Sequence, residues 1–528
     1  MDCLLLVLIV LFASACDTAN SGGVAPASDG PDTDAPSVPL SVTARAVSDS
    51  RIEVTWAPST DNVGVSGYHV YRDSVLVTVT PVTVYLDTGL STGTSYTYHV
   101  SAFDTTGNES TWSTPATATT HDGSTSGETY LVGPTRTYTS IQQVEALLEP
   151  GDLVLVDAGH TYQGGITFSN AGSPEQPITI RGVKMDGNRP LIDGGTNVVE
   201  FNQNNYVFES FEICNAGFRG LFHHADNIVI RDCIVRDCPH GILGADHGSG
   251  DLTIEYCEVY HCGEGAGRHQ IYIATNENDY PGSVFRLQFC YIHDGTGGSN
   301  VKSRAERNEI YYNWMENPYY HNLEMFGPDI AAGVADETAR EDGDVAGNVM
   351  IANRFSRNVR VGGDRSDQSS SGRYRFINNT FIHRNADPRS HIFAHFNVES
   401  VEMHNNIFFI TSYNVFDDSE ATWVFGRRVS GANNWVHSGA SFPAEWTGTI
   451  TGPDPGLTDI ANNLFWPLSG SDIVNEGTTN MTSPDGSPFP NPLAIPLFHP
   501  PEGVLIPVGT AYPRPMDGAV DIGAFEYH

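Results

Sequence analysis

The sequence predicts an all-β protein, a long parallel β-helix preceded by a small β-sandwich, on three observations. Cys214 and Cys238, Cys233 and Cys257, and Cys238 and Cys262 are each 24 residues apart, which marks a repeat rather than a disulfide framework. A column aligned on that repeat passes from cysteine into asparagine: Cys233, Cys257, Cys290, Asn313, Asn348, Asn379, Asn406, Asn434. The chain also holds 53 Gly and 31 Pro with only 17% charged residues, a composition rich in turns that disfavours a helical bundle. A coil of about two dozen residues with turn asparagines fits strands stacked ~4.8 Å apart, coil upon coil. Buried asparagines in such a column satisfy turn backbone groups, and cysteines there pack as small hydrophobes. The cysteines also lack the close CxxC pairs of a zinc site.

In chain order, residues 4–15 (LLLVLIVLFASA) form an apolar run too short to span a bilayer, ending in small residues before Cys16. The run with its ASAC box resembles a bacterial lipoprotein signal. That resemblance implies lipidation at Cys16, a cell-envelope location and a membrane link through the anchor alone, with plain secretion the alternative. A Ser/Gly/Pro/Asp tether follows over 17–35. Residues 36–121 alternate polar and apolar in short runs split by turn residues, as in a β-sandwich. The stretches IEVTWAPSTDNVGVSGYHVYRD, with Trp56, Tyr68 and Tyr71, and GLSTGTSYTYHVSAFD, with Leu90, Tyr96 and Tyr98, resemble a fibronectin type III module, which implies a spacer or binding role. A linker is expected over 122–128 and the β-helix over 129–528. One short helix is expected at its start, where Ser140 and Gln143 form a capping box before Ile141, Val144, Leu147 and Leu148.

A second column locates a candidate site. The segments FRGLFHH, PHGILGAD, RHQIYIA, SNVKSRA, HNLEMFG, RNVRVGG and SHIFAHF share an apolar residue at one phase: Leu221, Ile242, Ile271, Val301, Leu323, Val359, Ile392. If these point inward, period-two alternation sends their neighbours outward. One position earlier stand Gly241, Gln270, Asn300, Asn322, Asn358 and His391. One position later stand Leu243, Tyr272, Lys302, Glu324, Arg360 and Phe393, and three later Arg304 and His395. Amide, aromatic, cationic and imidazole groups on one strip suit the hydroxyls, ring faces and carboxylates of a polysaccharide.

The net charge of −36, from 27 Lys+Arg and 63 Asp+Glu, excludes nucleic acid as a partner, because its binding needs a cationic surface. Lysine occurs only at Lys184 and Lys302, so the one on the strip stands out. Elimination at a uronic acid needs a base for the proton α to a carboxylate and a cation to neutralise that carboxylate. Lys302 is the candidate base, and Arg304, two residues along, or Arg360 the candidate neutraliser. A nearby guanidinium favours the uncharged amine that a base requires, and Glu324 opposes it. Tyr272 or His269 could protonate the leaving oxygen or share the base role. Arg360, Asn300, Asn322, Glu324, Gln270, Asn358, His391 and His395 are candidate substrate contacts.

Through GGITFSNAGSPEQPITIRG, the HQIYI and NVKSRAERNEIYYN coils and the closing DGAVDIGAFEY, residues 130–528 resemble the right-handed parallel β-helix superfamily of pectate lyases, alginate lyases and chondroitinase B. The resemblance implies a lyase acting on an acidic polysaccharide with a Lys base and an Arg, often with calcium holding the carboxylate. The acidic insertion GPDIAAGVADETAREDGDVAG, with Asp342 and Asp344, offers oxygen ligands for calcium. The rivals are a glycoside hydrolase, for which Glu264, Asp294, Glu324 and Asp364 supply carboxylates without a close pair; a uronate C5-epimerase, whose DPHD-type motif is missing; and a glycan-binding solenoid that catalyses nothing. SGSDIVNEG and DIGAFEY are expected to close the last coil, and the chain is expected to be a monomer.

Overall fold

The computed structural model describes residues 32–527 apart from 47–50, 63, 81–82, 105, 121–126, 245–246, 328–340, 354–356, 364–371, 385–388, 411–412, 482, 484–492 and 516–518. The signal segment with Cys16, most of the tether, most of the linker, most of the acidic insertion and Asp364 lie outside the described residues. The chain divides into two compact units.

In the first, strands Thr43–Ala46, Arg51–Thr55 and Val84–Thr88 form one sheet, and Val75–Thr80, Val65–Arg72, Ser95–Asp104 and Ala116–Thr119 form the other. Alternation sends Ile52, Val54, Val70, Tyr98 and Val100 inward, where each is fully buried. Trp56 meets Tyr68 edge to face at 5.4 Å. The Tyr98 hydroxyl donates to Asp87 at 2.8 Å, and Arg72 pairs with the same carboxylate at 2.9 Å.

The second unit is a parallel β-helix. Three sheets of 12, 12 and 10 strands form it, all with parallel pairing, and successive coils between its ends contribute one strand to each. Their inner faces share one apolar core, from Val132 and Ile141 at one end to Trp446 at the other. Their outer faces differ in kind. One sheet, from Thr129–Val132 to Val429–Ala432, carries interleaved charges: Arg181 pairs with Glu209, Arg231 with Glu209 and Glu255, Arg286 with Glu309, and Arg307 and Arg375 with Asp344. A second, from Thr161–Gln163 to Ile450–Gly452, carries apolar side chains, Trp314, Val349, Ile351, Ile382, Ile407 and Trp435, which pack under Ile473, Ile522, Ala524 and Phe525. DIGAFEY therefore does not close the last coil. It is strapped against this outer face, with Gly523 N–H donating to the Asn405 carbonyl at 2.7 Å and Ala524 N–H to Thr380 Oγ1 at 3.0 Å. An outward apolar column needs a cover, and the C-terminal segment supplies it. The third sheet, from Ile166–Phe168 to Phe416–Asp417, carries the candidate strip.

The corner between the first and second sheets holds the expected ladder. Cys233 N–H lies 3.4 Å from Cys257 Sγ, Cys257 N–H lies 3.5 Å from Cys290 Sγ, and Cys290 N–H donates to Asn313 Oδ1 at 3.0 Å. From there Asn313, Asn348, Asn379, Asn406 and Asn434 each accept from the coil before, all fully buried. Cys214, Cys233, Cys238, Cys257, Cys262 and Cys290 are buried free thiols. The expected first helix is instead two 3₁₀ turns, Ile141–Gln143 and Glu145–Leu147, with Gln143 Oε1 accepting from Ser140 N–H at 3.2 Å.

Candidate functional site

The register of the third sheet aligns Leu221, Ile242, Ile271, Val301, Leu323, Val359 and Ile392, all fully buried. One residue later the same pairing aligns Phe222, Leu243, Tyr272, Lys302, Glu324, Arg360, Phe393 and Asp417 on the outer face. The strip read from alternation is thus one continuous column.

The position before the aliphatic is a correction. Gln270, Asn300, Asn322, Asn358 and His391 are fully buried. Gln270 donates to Asn300 Oδ1 at 2.8 Å, Asn300 to Asn322 Oδ1 at 2.9 Å, Asn322 to Asn358 Oδ1 at 2.8 Å, and Asn358 Nδ2 lies 2.9 Å from His391 Nδ1. These residues sit at a corner just before the strand, where alternation no longer holds, and their amides turn inward onto carbonyls such as those of His293, Glu316 and Ile382. They are a second structural ladder and cannot touch a substrate.

Two residues before the aliphatic lies a column that outward-alternation reasoning missed: Arg219, His240, His269, Ser299, His321, Arg357. The signal was present, since histidine recurs at this phase in three coils. Each histidine Nδ1 faces a backbone N–H: His240 receives His269 N–H at 3.4 Å, His269 receives Ser299 N–H at 2.8 Å, and His321 receives Arg357 N–H at 3.0 Å. An Nδ1 that accepts leaves the ring proton on Nε2, an assignment made from the hydrogen-bond pattern. His321 Nε2 lies 3.8 Å from Glu324 Oε1, and Ser299 Oγ donates to Glu324 Oε2 at 2.8 Å. Burial, then the Arg360 and Arg357 charges, hold His321 down to about 3, so it is neutral at ordinary pH.

Three cations gather round one ring. Phe326 is buried beneath the strip, with Lys302 Nζ 5.2 Å from its centroid, Arg360 at 4.6 Å and Arg304 at 5.8 Å. Lys302 Nζ is also 5.3 Å from the Tyr272 ring, whose hydroxyl accepts from Arg304 Nε at 3.0 Å. His269 meets Tyr272 edge-on at 5.2 Å. Arg304 is 3% exposed and also donates to the Gly327 carbonyl, so it faces Tyr272 rather than solvent. Arg360 is half-buried, 3.5 Å from Glu324 Oε1 and 2.8 Å from His395 Nδ1. The structure therefore brings together Tyr272, Lys302, Arg304, Glu324, Arg360, His269 and His395.

The aspartates expected to hold calcium do not fit it. Both Asp342 oxygens meet the Arg373 guanidinium, at 3.0 and 2.5 Å, and the Asp344 oxygens meet Arg375, at 2.6 and 2.8 Å, and Arg307. They belong to the charged sheet. Glu264 is exposed and paired with Arg268, and Asp294 caps a turn with His293 and Asn317, so neither joins Glu324 on the strip.

Residues 34–119 match the fibronectin type III domain family model. The chitinase Chi52 of Paenibacillus xylanexedens is 51% identical over 63 residues, 12% of this chain and 12% of that protein. The chain spans between 4 and 12% of the length of the curated relatives it matches. Among solved structures, pectate lyase Pel9A superposes with a TM-score of 0.43 at 13% identity over 76% of this chain and 96% of that one. The family 28 exopolygalacturonase of Yersinia enterocolitica gives 0.32 at 12% identity, over 79% and 99%. The strand pairing and the family match define a parallel β-helix protein with a fibronectin type III domain at its N-terminal end.

Proposed function

We propose that this protein is an exported polysaccharide lyase that cleaves a uronic-acid polymer by β-elimination on the third sheet, with Cys16 as its point of lipid attachment. The observation that carries the reading is the lysine lodged between Tyr272 and Phe326, with two guanidiniums at the same ring and one of them bonded to the tyrosine hydroxyl. Lys302, as the free amine, takes the proton at C5 of the uronate. The electron pair forms the C4–C5 double bond, the C4–oxygen bond breaks, and the leaving oxygen takes a proton from Tyr272. A guanidinium donating to the Tyr272 oxygen stabilises the phenolate left behind. Arg360, half-buried and held by Glu324 and His395, is placed to neutralise the substrate carboxylate, and neutral His321 fixes Glu324 without adding charge. Arg304 is then a positioning residue for Tyr272 and Arg360 the carboxylate partner, which divides the roles that the sequence left shared.

Assaying alginate, polygalacturonate and chondroitin for the ultraviolet absorbance of a 4,5-unsaturated uronate tests the reading. Lys302→Ala is expected to lower turnover by about 10²–10⁴-fold with the melting temperature intact. Full turnover in that variant removes Lys302 as base. Reducing ends without the absorbance indicate a hydrolase, and retention on the polymer without either product indicates a binding protein.

A further inference from the structure

Three coils from Lys302 toward the N-terminus, the outer column reaches Phe222, roughly 14 Å away at the inter-strand spacing. Beside it the Arg219 guanidinium lies between two aromatic rings, 4.1 Å from the Phe218 centroid and 4.0 Å from that of Phe222. Arg268 covers Phe218 at 5.0 Å, and His240 meets that ring edge-on at 5.4 Å. Burial, then Arg219 and Arg268, hold His240 down to about 4, and Arg268 is paired with Glu264, so the cluster's uncompensated charge resides on Arg219.

Arg219 is unlike the arginines of the charged sheet, which meet carboxylates coil after coil. Its NH1 donates to Asn197 Oδ1 at 3.2 Å, and its Nε has no hydrogen-bond partner among the described residues. Glu200, the acid whose charge it feels, is itself held by Asn197 Nδ2 at 2.7 Å. Among the described residues no carboxylate forms an ion pair with Arg219, in a chain whose net charge is −36. A guanidinium clamped between rings has already lost its rotamer freedom, and it recognises a planar anion in a fixed orientation.

We propose that Arg219, clamped between Phe218 and Phe222 with Arg268 alongside, forms a distal subsite that takes the carboxylate of a uronic-acid residue bound three coils from Lys302. The assignment rests on the polysaccharide reading of the strip and adds to it a requirement for charge far from the scissile bond.

Affinity electrophoresis through gels cast with polygalacturonate, alginate or their carboxyl-reduced forms tests it, together with kcat/KM on the polymer and on a trisaccharide too short to reach Arg219. Arg219→Ala is expected to weaken retardation by the acidic polymer about tenfold, the scale of one charge-assisted contact, and to lower the polymer-to-trisaccharide ratio of kcat/KM alike. Arg219→Lys, which keeps the charge, is expected to recover part of both. The carboxyl-reduced polymer is expected to retard wild type and Arg219→Ala equally. Unaltered retardation and ratio in a folded Arg219→Ala variant overturn the subsite and leave the lyase reading standing. Retardation that depends on Arg219 without any unsaturated product overturns the lyase reading and keeps the subsite. Retardation by none of the gels overturns both.

Discussion

The charged sheet and the site sheet are built from the same coils and carry arginines on their outer faces, yet they use them in opposite ways. On the charged sheet, cations and carboxylates interleave across strands, so Arg181, Glu209, Arg231 and Glu255 neutralise one another along the stack. On the site sheet, Lys302, Arg304 and Arg360 surround Phe326 with Glu324 among them, and Arg219 sits between two aromatic rings. Interleaved charge is what a structural solenoid face needs, because like charges on adjacent strands repel. A cluster of three cations about one ring with Glu324 set against Arg360 is weighted toward positive charge, which suits the receipt of an anion. This contrast is what sets the proposed working face apart from the charged sheet.

The largest effect that would break this contrast lies on the charged sheet. Asp344 meets Arg375, whose side chain is 2% exposed, and Arg307. Asp344→Ala takes a buried carboxylate away from both guanidiniums and is expected to cost about 3–5 kcal/mol in urea unfolding. The molecules that remain folded should turn over substrate at the wild-type rate. A loss of turnover beyond the loss of folded protein would place Asp344 in the working face after all.

The strip itself was legible in the sequence because a two-residue period and a fixed aliphatic column are enough to set which residues of neighbouring coils lie side by side. Tyr272, Lys302, Glu324 and Arg360 fall into register through backbone pairing alone. The Asn300 to Asn358 ladder was misread for a physical reason: alternation belongs to extended backbone, and at a corner the unpaired carbonyls draw amides inward. The 313–434 asparagine ladder was read correctly because its turn position was recognised. The role of Arg304 could not be read, since its hydrogen bond to Tyr272 joins the ends of two side chains on different coils, which register does not specify. Nor could the C-terminal strap, which is joined to its sheet by more than a hundred residues of intervening chain.

A smaller effect sharpens the contrast through pH. His223, in the Arg219–His223 strand of the site sheet, is fully buried against the Ala225 carbonyl at 3.1 Å, and burial holds it down to about 4. Unfolded, it titrates near 6.5. Between those values the unfolded chain binds a proton that the native one does not, so its contribution to stability is complete above pH 6.5 and drains away as pH falls. The slope is up to about 1.4 kcal/mol per pH unit for this one group. His223→Gln should therefore lose less stability than wild type between pH 6.5 and 5, measured by urea unfolding. Equal losses in the two proteins would mean that the ring is already protonated in the fold.

The smallest effect concerns an exposed ion pair on the charged sheet. Arg286 pairs with Glu309 at 2.6 Å, but its side chain is 45% exposed. An ion pair in water gains little over two solvated charges and loses rotamer freedom, so Arg286→Ala is expected to change stability by at most about 1 kcal/mol. Arg360→Lys on the site sheet keeps a cation beside the buried Glu324 but loses the planar fork proposed for the substrate carboxylate, and it should raise KM while leaving stability within the same narrow band. Matching small changes in stability with unequal changes in KM would show that the two faces differ in what they bind rather than in how firmly they are held. A KM shift at Arg286 as large as that at Arg360 would erase the distinction.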